Sequence, residues 1–441
     1  MTYPRYPKYR ESGVEWLGDV PEGWGVVRTR WLFSIKKNIS GELGYDILSV
    51  TQQGIRIKDI EGNNGQFSMD YAKYQIVDVG DFVMNHMDLL TGYVDISKFL
   101  GVTSPDYRVF TIRKPTDCHY KYFLYVFQMG YKNKIFYAFG QGSSHLGRWR
   151  LPAEQFNNLS LPFPPLSEQK TIAAFLDAET ARIDTLITEY ETLIDLLKEK
   201  RQALISQAVT KGLNPDAPMK DSGVEWLGDV PEHWSVRQLR FIANLNPSKS
   251  ECSNIGEDEE VSFLPMEAIG DDGSLNLEHV KPINEVNSGY TYFRNGDVTI
   301  AKITPCFENG KGAVMSGLKG HIGFGTTELI VVRPEQNISI SEYIHLIFVS
   351  AYFRKLGESW MYGAGGQKRV PDEFVRNFKI GVPPVDEQHA IAAFLDTETS
   401  RMDILVQEAE NGINLLRERR MTLISDAVTG KIDVRDWKGV A

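Results

Sequence analysis

An eleven-residue segment that occurs twice constrains this chain more than any other sequence feature. "SGVEWLGDVPE" occupies residues 12–22 and recurs, letter for letter, at residues 222–232. Self-similarity over such a distance indicates a structural unit that the chain builds twice. The chain has 441 residues, which is too long for one ordinary domain and favours about two to four domains. We therefore predict one fold that is repeated along the chain.

A longer duplication predicts a long helix in each repeat. "PPLSEQKTIAAFLDAETARIDTLI" at residues 164–187 reappears as "PPVDEQHAIAAFLDTETSRMDILV" at residues 383–406. Ser167 and Asp386 follow the proline pairs and are the predicted N-caps. The apolar pattern then continues for about 44 residues, which corresponds to a helix ~65 Å long.

Heptad spacing predicts that the two helices pack against each other. Gly212 and Gly430 stand where C-terminal caps belong. Between the two ends, apolar residues recur every seven, and helices of this length need a partner seam for their stability. The alternative is two separate amphipathic helices that lie on their own domains. The predicted seam residues are Leu176, Ile183, Tyr190, Leu197, Leu204, Leu395, Met402, Ala409, Leu416 and Leu423.

The blocks between the duplicated segments match each other only faintly. "VGDFVMN" at residues 79–85 parallels "NGDVTIAK" at residues 295–302, and both indicate a turn that precedes a strand. Segments with helical spacing follow, so each block is predicted to be one α/β domain. The predicted boundaries are 1–163 for the first motif and globular domain, 164–212 for the first helix, 213–382 for the linker, repeated motif and second globular domain, 383–430 for the second helix, and 431–441 for a tail.

Composition excludes several classes of protein. The net charge of −10 argues mildly against a nucleic-acid binder, although the acidic run at residues 257–260 is typical of a solvated loop. Cys118, Cys252 and Cys306 are too few and too widely spaced for a disulfide framework or a zinc site. No apolar run approaches the ~20 residues of a membrane helix. The first residues lack the apolar core of a signal peptide, so we expect a cytoplasmic protein.

The sequence offers no convincing catalytic motif. Pro164-Pro165 and Pro383-Pro384 mimic a methyltransferase motif, but the preceding Asn or Asp and the following aromatic ring are missing. Residues 139–142 mimic a cofactor loop without a βαβ context. Asp436 and Lys438 form a lone nuclease-like pair in the tail, and the eight histidines show no metal-binding spacing. We therefore expect neither catalysis nor a metal site in this chain.

The repeated motifs together resemble those of a known protein family. "GVEWLGDVPEGW", "PPLSEQ…IAAFLD" and "LISQAVT", each present in two copies or close variants, are similar to the specificity subunit of Type I restriction–modification enzymes. The resemblance covers nearly the whole chain. It implies an α+β fold in which two globular α/β target-recognition domains are separated by two long antiparallel helices, which form a coiled coil with a pseudo-twofold internal repeat. It also implies a non-catalytic subunit that binds double-stranded DNA.

The resemblance implies partners and cofactors as well. Two methyltransferase (modification) subunits and then restriction/translocase subunits are expected to dock on the chain. S-adenosylmethionine, ATP and Mg are expected only in those partner subunits. The residues favour the same arrangement, because a pseudo-symmetric scaffold presents one surface twice, which suits two identical partners. The diverged blocks suit two readers of an asymmetric bipartite target, and a ~65 Å rod matches roughly 19 base pairs of duplex.

Candidate DNA contacts come from a comparison of the two diverged blocks. Arg150 and Arg369 stand in equivalent places before a Leu/Val-Pro step and are assigned to structure or to phosphate binding. Residues that differ between the blocks are candidate base readers, because Arg and Lys suit guanine edges and Gln suits adenine edges. The other candidates are Lys36, Lys37, Arg56, His145 and Arg148 in the first block and Lys302, Lys311, Gln367 and Lys368 in the second. For each of them the alternative is a solvated surface charge.

A second interpretation comes from a different class of protein. A coiled-coil scaffold whose globular blocks bind protein also agrees with the repeats and with the net charge of −10. The Gly-rich basic loops and the presence of two readers favour DNA. Salt-dependent binding to duplex DNA would distinguish the two interpretations.

Overall fold

Two compact units make up the chain, and each contains one globular block with parts of both long helices. The computed structural model describes residues 3–59, 71–142, 149–364 and 366–439. Unit 1 runs up to Tyr190 and resumes at Glu410, and unit 2 is Glu191–Ala409. The division therefore falls inside both long helices and not at the ends of the globular blocks. None of the described helices is long and apolar enough to cross a membrane.

The two long helices are Leu166–Lys211 and Val385–Val428. Each begins one residue before the predicted N-cap, so Ser167 and Asp386 lie in the first turn and are not the N-caps. The prolines that precede the helices are compatible with this start, because the first amides of a helix have no intrahelical acceptor.

In unit 2, the end of the first long helix lies beside the start of the second. Gly212 follows the first helix with a φ of +72°, a left-handed conformation that glycine adopts at little cost. A Cβ at Gly212 would lie 3.1 Å from Glu387 Oε1, in the first turn of the other helix. Arg201 also forms an ion pair with Asp403. The contacting positions rise in one helix as they fall in the other, so the two segments are antiparallel.

Unit 1 contains the equivalent antiparallel pair. Asp184 accepts hydrogen bonds from Arg420 Nε at 2.9 Å and Nη2 at 3.2 Å. The Tyr190 ring lies 3.3 Å from the position that a Cβ of Gly412 would take. The aspartates and arginines of the two ion pairs are each separated by 219 residues, so both units use the same bridge between their helices. Gly430 ends the second helix with a φ of +76°, as the first helix ends at its own glycine.

Short strands and helices form the globular part of unit 1. Its strands are Tyr9–Glu11, Asp19–Pro21, Gly25–Arg28, Phe33–Lys36, Leu48–Thr51, Gly54–Ile57, Gln75–Val77, Phe82–Met84, Val94–Ile96, Gly101–Thr103, Arg108–Ile112 and Ser160–Phe163. Its helices are Thr29–Leu32, Tyr120–Lys132, Ile135–Ala138 and Ala153–Asn158, with a 3₁₀ turn at Tyr71–Lys73.

Unit 2 repeats this order of elements with additions. Its strands are Met219–Asp221, Asp229–Pro231, Ser235–Gln238, Ala243–Leu245, Glu260–Leu264, Val280–Pro282, Thr291–Arg294, Val298–Ala301, Gly312–Val314, Ile322–Gly325, Leu329–Pro334 and Lys379–Val382. Its helices are Ile283–Val286, Ser341–Val349, Ala351–Trp360 and Asp372–Asn377, with 3₁₀ turns at Leu239–Phe241, Lys249–Cys252, Met266–Ala268 and Lys319–His321.

A four-stranded antiparallel sheet is common to both units. In unit 1 the strand order is Phe33–Lys36, Arg108–Ile112, Phe82–Met84, Val94–Ile96. In unit 2 the strand order is Ala243–Leu245, Leu329–Pro334, Val298–Ala301, Gly312–Val314. The order and the directions are the same, so the faint sequence match between the two blocks corresponds to one fold. Unit 2 has a second, continuous four-stranded sheet, whereas the corresponding two strand pairs of unit 1 are joined by a single parallel bridge between Ile47 and Val102.

Each hydrophobic core joins a globular block to both long helices. The core of unit 1 includes Leu176 near the start of the first long helix and Ala427 near the end of the second. The core of unit 2 includes Leu395 near the start of the second long helix and Ala208 near the end of the first. Each block therefore packs on the helix that follows it and on the end of the other helix. The prediction of two similar α/β domains with two long antiparallel helices is confirmed.

Candidate nucleic-acid interface

The duplicated tryptophan donates to the equivalent glutamate in both units. Trp24 Nε1 donates to Glu168 Oε1 at 3.0 Å, and Trp234 Nε1 donates to Glu387 Oε1 at 3.1 Å. Both indole rings are at most 2% exposed. Each acceptor lies in the first turn of the long helix that follows the block. This hydrogen bond therefore ties the repeated motif to the helix in the same way twice.

The glutamine that follows each of these glutamates makes an equally repeated set of contacts. Gln169 accepts from the amide of His119 and donates to the carbonyls of Asp117 and Pro164. Gln388 accepts from the amide of Ile340 and donates to the carbonyls of Ile338 and Pro383. Both glutamines are fully buried, and a buried amide must find such partners. The duplicated Glu-Gln pair thus attaches each globular block to its long helix, and we call these contacts the seat of the block.

A buried tyrosine completes the seat from the side of the globular block. Tyr122 donates to the carbonyl of Val428 at 3.0 Å, and Tyr343 donates to the carbonyl of Val209 at 3.3 Å. Each tyrosine thus reaches the end of the long helix that does not follow its own block. Much of the duplicated sequence is explained by these internal contacts, so duplication by itself does not identify a surface for a partner.

Each diverged block has an equivalent loop edge, and the predicted DNA contacts that the structure describes there are Arg150 in unit 1 and Gln367, Lys368 and Arg369 in unit 2. In unit 1, Arg150 pairs with Gln141 through two backbone hydrogen bonds of 2.8 and 3.0 Å. In unit 2, Arg369 pairs with Tyr362 through two such bonds of 3.2 and 2.9 Å. The backbone geometry is therefore shared, while the side chains that the edge presents differ.

The candidates of the first block fall into different environments. Lys36 binds both Asp78, at 2.6 Å, and Asp81. These carboxylates raise the pKa of Lys36, although burial alone would lower it. Lys37, Arg56 and Arg150 are exposed. His145 and Arg148 lie outside the described residues. Lys36 is therefore engaged by two carboxylates within the fold, and the exposed residues are the stronger predicted contacts.

The second block divides in the same manner. Arg369 is paired with Glu328 through two guanidinium nitrogens. Lys311 donates to the carbonyl of Met266 at 3.2 Å and is only 17% exposed. Gln367 and Lys368 are exposed and lie on the loop edge beside the arginine, and Lys302 is half-buried. The exposed pair stays the strongest prediction for base contacts in this block.

The predicted seam residues are mostly buried. Seven of them are less than a tenth exposed: Leu176, Ile183, Leu197, Leu395, Met402, Ala409 and Leu423. Leu204 and Leu416 are half-buried. Tyr190 is 36% exposed, because its ring lies against the small Gly412 at the surface of unit 1.

Both units share an exposed aromatic residue that none of the predicted sites includes. Trp31 is 65% exposed and Phe241 is 60% exposed, and the two positions are 210 residues apart, as are the repeated motifs. The guanidinium of Arg30 lies 5.9 Å from the Trp31 ring, and that of Arg240 lies 4.9 Å from the Phe241 ring. An arginine followed by an aromatic residue at the same distance from each motif was the signal in the sequence.

No group of three His, Cys, Asp or Glu side chains within the described ranges could hold a metal ion. The arrangement therefore offers contacts for recognition: exposed cations and amides at two loop edges, and an exposed aromatic residue on each unit.

Comparison with known proteins identifies the family. The family described as "Type I restriction modification DNA specificity domain" matches the chain twice, at residues 21–194 and 231–414, and the two matches together cover most of the chain. The specificity subunit of the Type I restriction enzyme EcoAI from Escherichia coli is 39% identical over 234 residues, which are 53% of this chain and 39% of that protein. The EcoEI specificity subunit from the same species is 37% identical over 56% of this chain and 42% of that protein. The matches thus span about two fifths of these relatives' lengths.

A more distant relative and two solved structures agree over the full length. A putative MjaX specificity subunit from Methanocaldococcus jannaschii is 23% identical over 95% of this chain and 96% of that protein. A chain from a study of assembly and conformational transition in the type I R-M system has a TM-score of 0.68 at 14% identity, with 93% of this chain and 98% of that chain covered. The HsdS subunit from Thermoanaerobacter tengcongensis has a TM-score of 0.53 at 14% identity, with 94% and 98% covered. The chain therefore belongs to the specificity-subunit family of Type I restriction–modification systems.

Proposed function

We propose that the chain is the DNA-specificity subunit of a Type I restriction–modification complex, that it binds an asymmetric bipartite target, and that it has no catalytic activity. One observation carries this proposal. The two globular blocks are seated on the helices by the same hydrogen bonds, yet they present different side chains at equivalent loop edges. A scaffold that holds two readers alike and lets their surfaces differ suits a target with two unlike half-sites.

The difference between the units is concentrated away from the seats. The second sheet is continuous in unit 2 and reduced to two bridged strand pairs in unit 1, and at the loop edge unit 2 has Tyr362 where unit 1 has Gln141. A different side chain at the same backbone position changes which base edge can be bonded. We assign one half-site to each globular block on this basis.

The proposal includes two methyltransferase subunits as partners. Large aromatic residues that stay exposed at equivalent positions suit the anchor of a protein interface. Because Trp31 and Phe241 occur once per repeat, they suit two copies of one partner. Restriction/translocase subunits would then join this assembly. S-adenosylmethionine, ATP and Mg would belong to those partners and not to this chain.

A domain exchange tests the assignment of half-sites. Residues 25–155 are replaced with the equivalent block of a relative, and methylated bases are mapped across the genome of cells that carry the variant. We expect one half-site of the methylated motif to change and the other to stay, because the second reader is untouched. The matched control exchanges residues 235–374 and should change only the other half-site. A change in both half-sites from one exchange would contradict the proposal.

A change in helix length tests whether the helices set the unread gap. Seven residues inserted between Lys198 and Arg201, with seven more directly after Asp403, keep the heptad phase and retain the Arg201–Asp403 ion pair. The added length is about 10.5 Å, or about three base pairs of duplex. We expect a spacer that is longer by that amount and two unchanged half-sites. Insertion into the first helix alone breaks the pairing between the helices and should give weak methylation. If the variant with insertions in both helices keeps the original spacer, the idea is refuted.

Single substitutions test the docking of the methyltransferase subunits. We expect Trp31→Ala and Phe241→Ala each to weaken one of two docking events by at least about tenfold. Aromatic residues that become buried when a partner binds dominate the binding energy of an interface. Native mass spectrometry should then show a 2:1 complex for the unsubstituted chain, mainly 1:1 for each variant, and little complex for the double variant. Leu43→Ala is the control, because Leu43 is 73% exposed and has no counterpart of this kind in the second repeat. A 2:1 complex with the double variant would contradict the assignment.

A protein-binding scaffold is the second candidate, and the net charge of −10 favours it. The two candidates differ in their response to salt. A DNA-binding chain releases counterions, so the logarithm of its affinity for duplex falls linearly with the logarithm of the salt concentration. The absence of such binding would favour the scaffold.

A further inference from the structure

Arg150 and Arg369 are structurally equivalent, but they have different neighbours. Both lie in a backbone bridge, and the residue after each donates its amide to an equivalent strand end: Leu151 to the carbonyl of His86 at 2.9 Å, and Val370 to the carbonyl of Lys302 at 2.8 Å. The two backbones therefore hold the arginines in the same place, so any difference in their role comes from the side chains around them.

In unit 2 a carboxylate engages the arginine. Arg369 Nε lies 2.9 Å from Glu328 Oε2, and Nη2 lies 2.7 Å from Oε1. This two-point pair lowers the pKa of Glu328, with a smaller contribution from Lys302. A guanidinium held at both edges by a carboxylate has few donors left for another anion.

In unit 1 the equivalent acid is one methylene shorter. Strand register equates Phe110 with Val332, because each pairs with the residue after the same Gly-Asp turn. Asp106 thereby takes the place of Glu328, and both acids donate their amides to a hydroxyl two residues earlier, at 3.2 Å. Within the part of the chain that is described, Arg150 has no carboxylate partner; its Nε lies 2.8 Å from Met87 Sδ.

A second cation lies behind Arg150 and also lacks a carboxylate partner among the described residues. Arg108 is 4% exposed and occupies the position of Ile330 in unit 2. Its Nη2 donates to the carbonyl of Leu151 at 2.9 Å, whereas Nη1 has no hydrogen-bond partner within the described part of the chain. Burial lowers the pKa of Arg108 to about 10. A buried guanidinium without a carboxylate is costly, and an anion at the surface nearby would offset that cost.

A half-buried histidine lies in the same positive environment. Its atom His86 Nδ1 is buried and has no hydrogen-bond partner among the described residues. Burial, with smaller contributions from Arg108 and Arg150, lowers the pKa of His86 to about 3. The side chain is therefore neutral at physiological pH. Asp88, on the same loop, accepts from the hydroxyl of Thr91 and from the amide of Leu90.

We propose that Arg150 is a DNA-phosphate contact of the first globular block, supported from behind by Arg108, and that Arg369 is a structural residue that does not contact DNA. The inference rests on the proposed function, since the anion is the phosphate of a bound duplex. The inference assigns different roles to two arginines that stand in equivalent places in the sequence. Arg150 is exposed and, among the described residues, has no carboxylate partner, so its Nη donors suit a phosphate, whereas Arg369 is neutralised by Glu328.

The test is the salt dependence of duplex binding by the full chain. A fluorescent duplex of arbitrary sequence, about 30 base pairs long, is titrated at several salt concentrations; a phosphate contact acts on any sequence. We expect Arg150→Ala to reduce the log–log salt slope by about 0.9, the value for one phosphate. Lys114→Ala is the control for loss of one charge, because Lys114 is exposed beyond the opposite end of the strand Arg108–Ile112.

The double variant Glu328→Gln/Arg369→Met tests the other half of the proposal. It removes both charges of the pair, so no carboxylate is left stranded, and it should keep the salt slope of the unsubstituted chain. An unchanged slope in Arg150→Ala would overturn the inference, and so would a fall in the double variant as large as that expected for Arg150→Ala. If the unsubstituted chain binds duplex with no salt dependence, the proposed function itself fails, which is a distinct result.

Discussion

Replacing Gln388 with leucine tests whether the duplicated Glu-Gln pair seats the globular block. Gln388 is fully buried. Its Nε2 donates to the carbonyls of Ile338 at 2.8 Å and Pro383 at 2.9 Å, and its Oε1 accepts from the amide of Ile340 at 3.1 Å. Leucine has a similar volume and makes none of these bonds. One backbone amide and two carbonyls then lose their partner while they stay at the contact between block and helix.

The magnitude follows from the number of groups that lose a partner. Each buried polar group without a partner costs about 1 kcal/mol or more, so the three groups cost about 3 kcal/mol. Burial of the apolar leucine returns about 1 kcal/mol. We therefore expect the free energy of unfolding of unit 2 to fall by about 2 kcal/mol. A shift of this size moves an unfolding equilibrium about thirtyfold.

Urea unfolding followed by tryptophan fluorescence measures the loss, and hydrogen exchange localises it. The amide of Ile340 should lose its protection, because its acceptor is gone. Gln169→Leu is the matched variant in unit 1, where the same three kinds of bond are present. Gln207→Leu is the control, because Gln207 is exposed on the first long helix and surface changes stay within about 0.5 kcal/mol. If both buried variants unfold like this control, the seat does not depend on the glutamines.

Three further expectations concern the helices and one buried histidine. A double-mutant cycle on Asp184 and Arg420, whose side chains are 53% and 35% exposed, should give a coupling of about 0.2–1 kcal/mol that weakens with salt. Ala409→Tyr should lower stability by about 1–3 kcal/mol because Ala409 is 2% exposed, and an unchanged melting temperature would contradict its place in a packed seam. Burial, with a smaller effect of Arg201, lowers the pKa of His345 to about 4, so the unfolded chain takes up a proton first as pH falls from about 6.5. Stability should therefore decrease between about pH 6.5 and 4, and His345→Gln should reduce that decrease in urea unfolding at each pH.

The repeat and the long helices could be predicted from the sequence, because heptad spacing lies within one segment and the repeat shows when the chain is compared with itself. Heptads locate a helix from its own residues, and a glycine with a positive φ ends it, as at Gly212 and Gly430. The N-caps were predicted too late, at residues that lie inside the helices. The predicted N-caps leave one residue between the proline pair and the cap. A proline can, however, directly precede the first helical residue without the loss of a hydrogen bond.

The site residues could be predicted only in part, because their roles depend on partners that are distant in sequence. Lys36 appeared to be a free cation, but the strand order brings Asp78 and Asp81 to it from more than forty residues away. Arg369 and Glu328 are 41 residues apart and meet through the loop edge. Periodicity and motifs carry no information about such pairings, since these depend on the register of strands that lie far apart along the chain.

The internal repeat is a stronger source of inference once burial is known. A residue that is repeated and buried, such as Trp24 with Trp234, is explained by the fold that it holds together. A position that is equivalent, exposed and aromatic in both repeats has no such explanation, and a partner that binds twice supplies one. A position that is equivalent in backbone but differs in its neighbours, such as Arg150 and Arg369, separates a residue available to a ligand from one already bound within the fold. The same comparison, made position by position along the two loop edges, orders the remaining candidates for DNA contact: exposed residues without an internal partner first, and paired residues last.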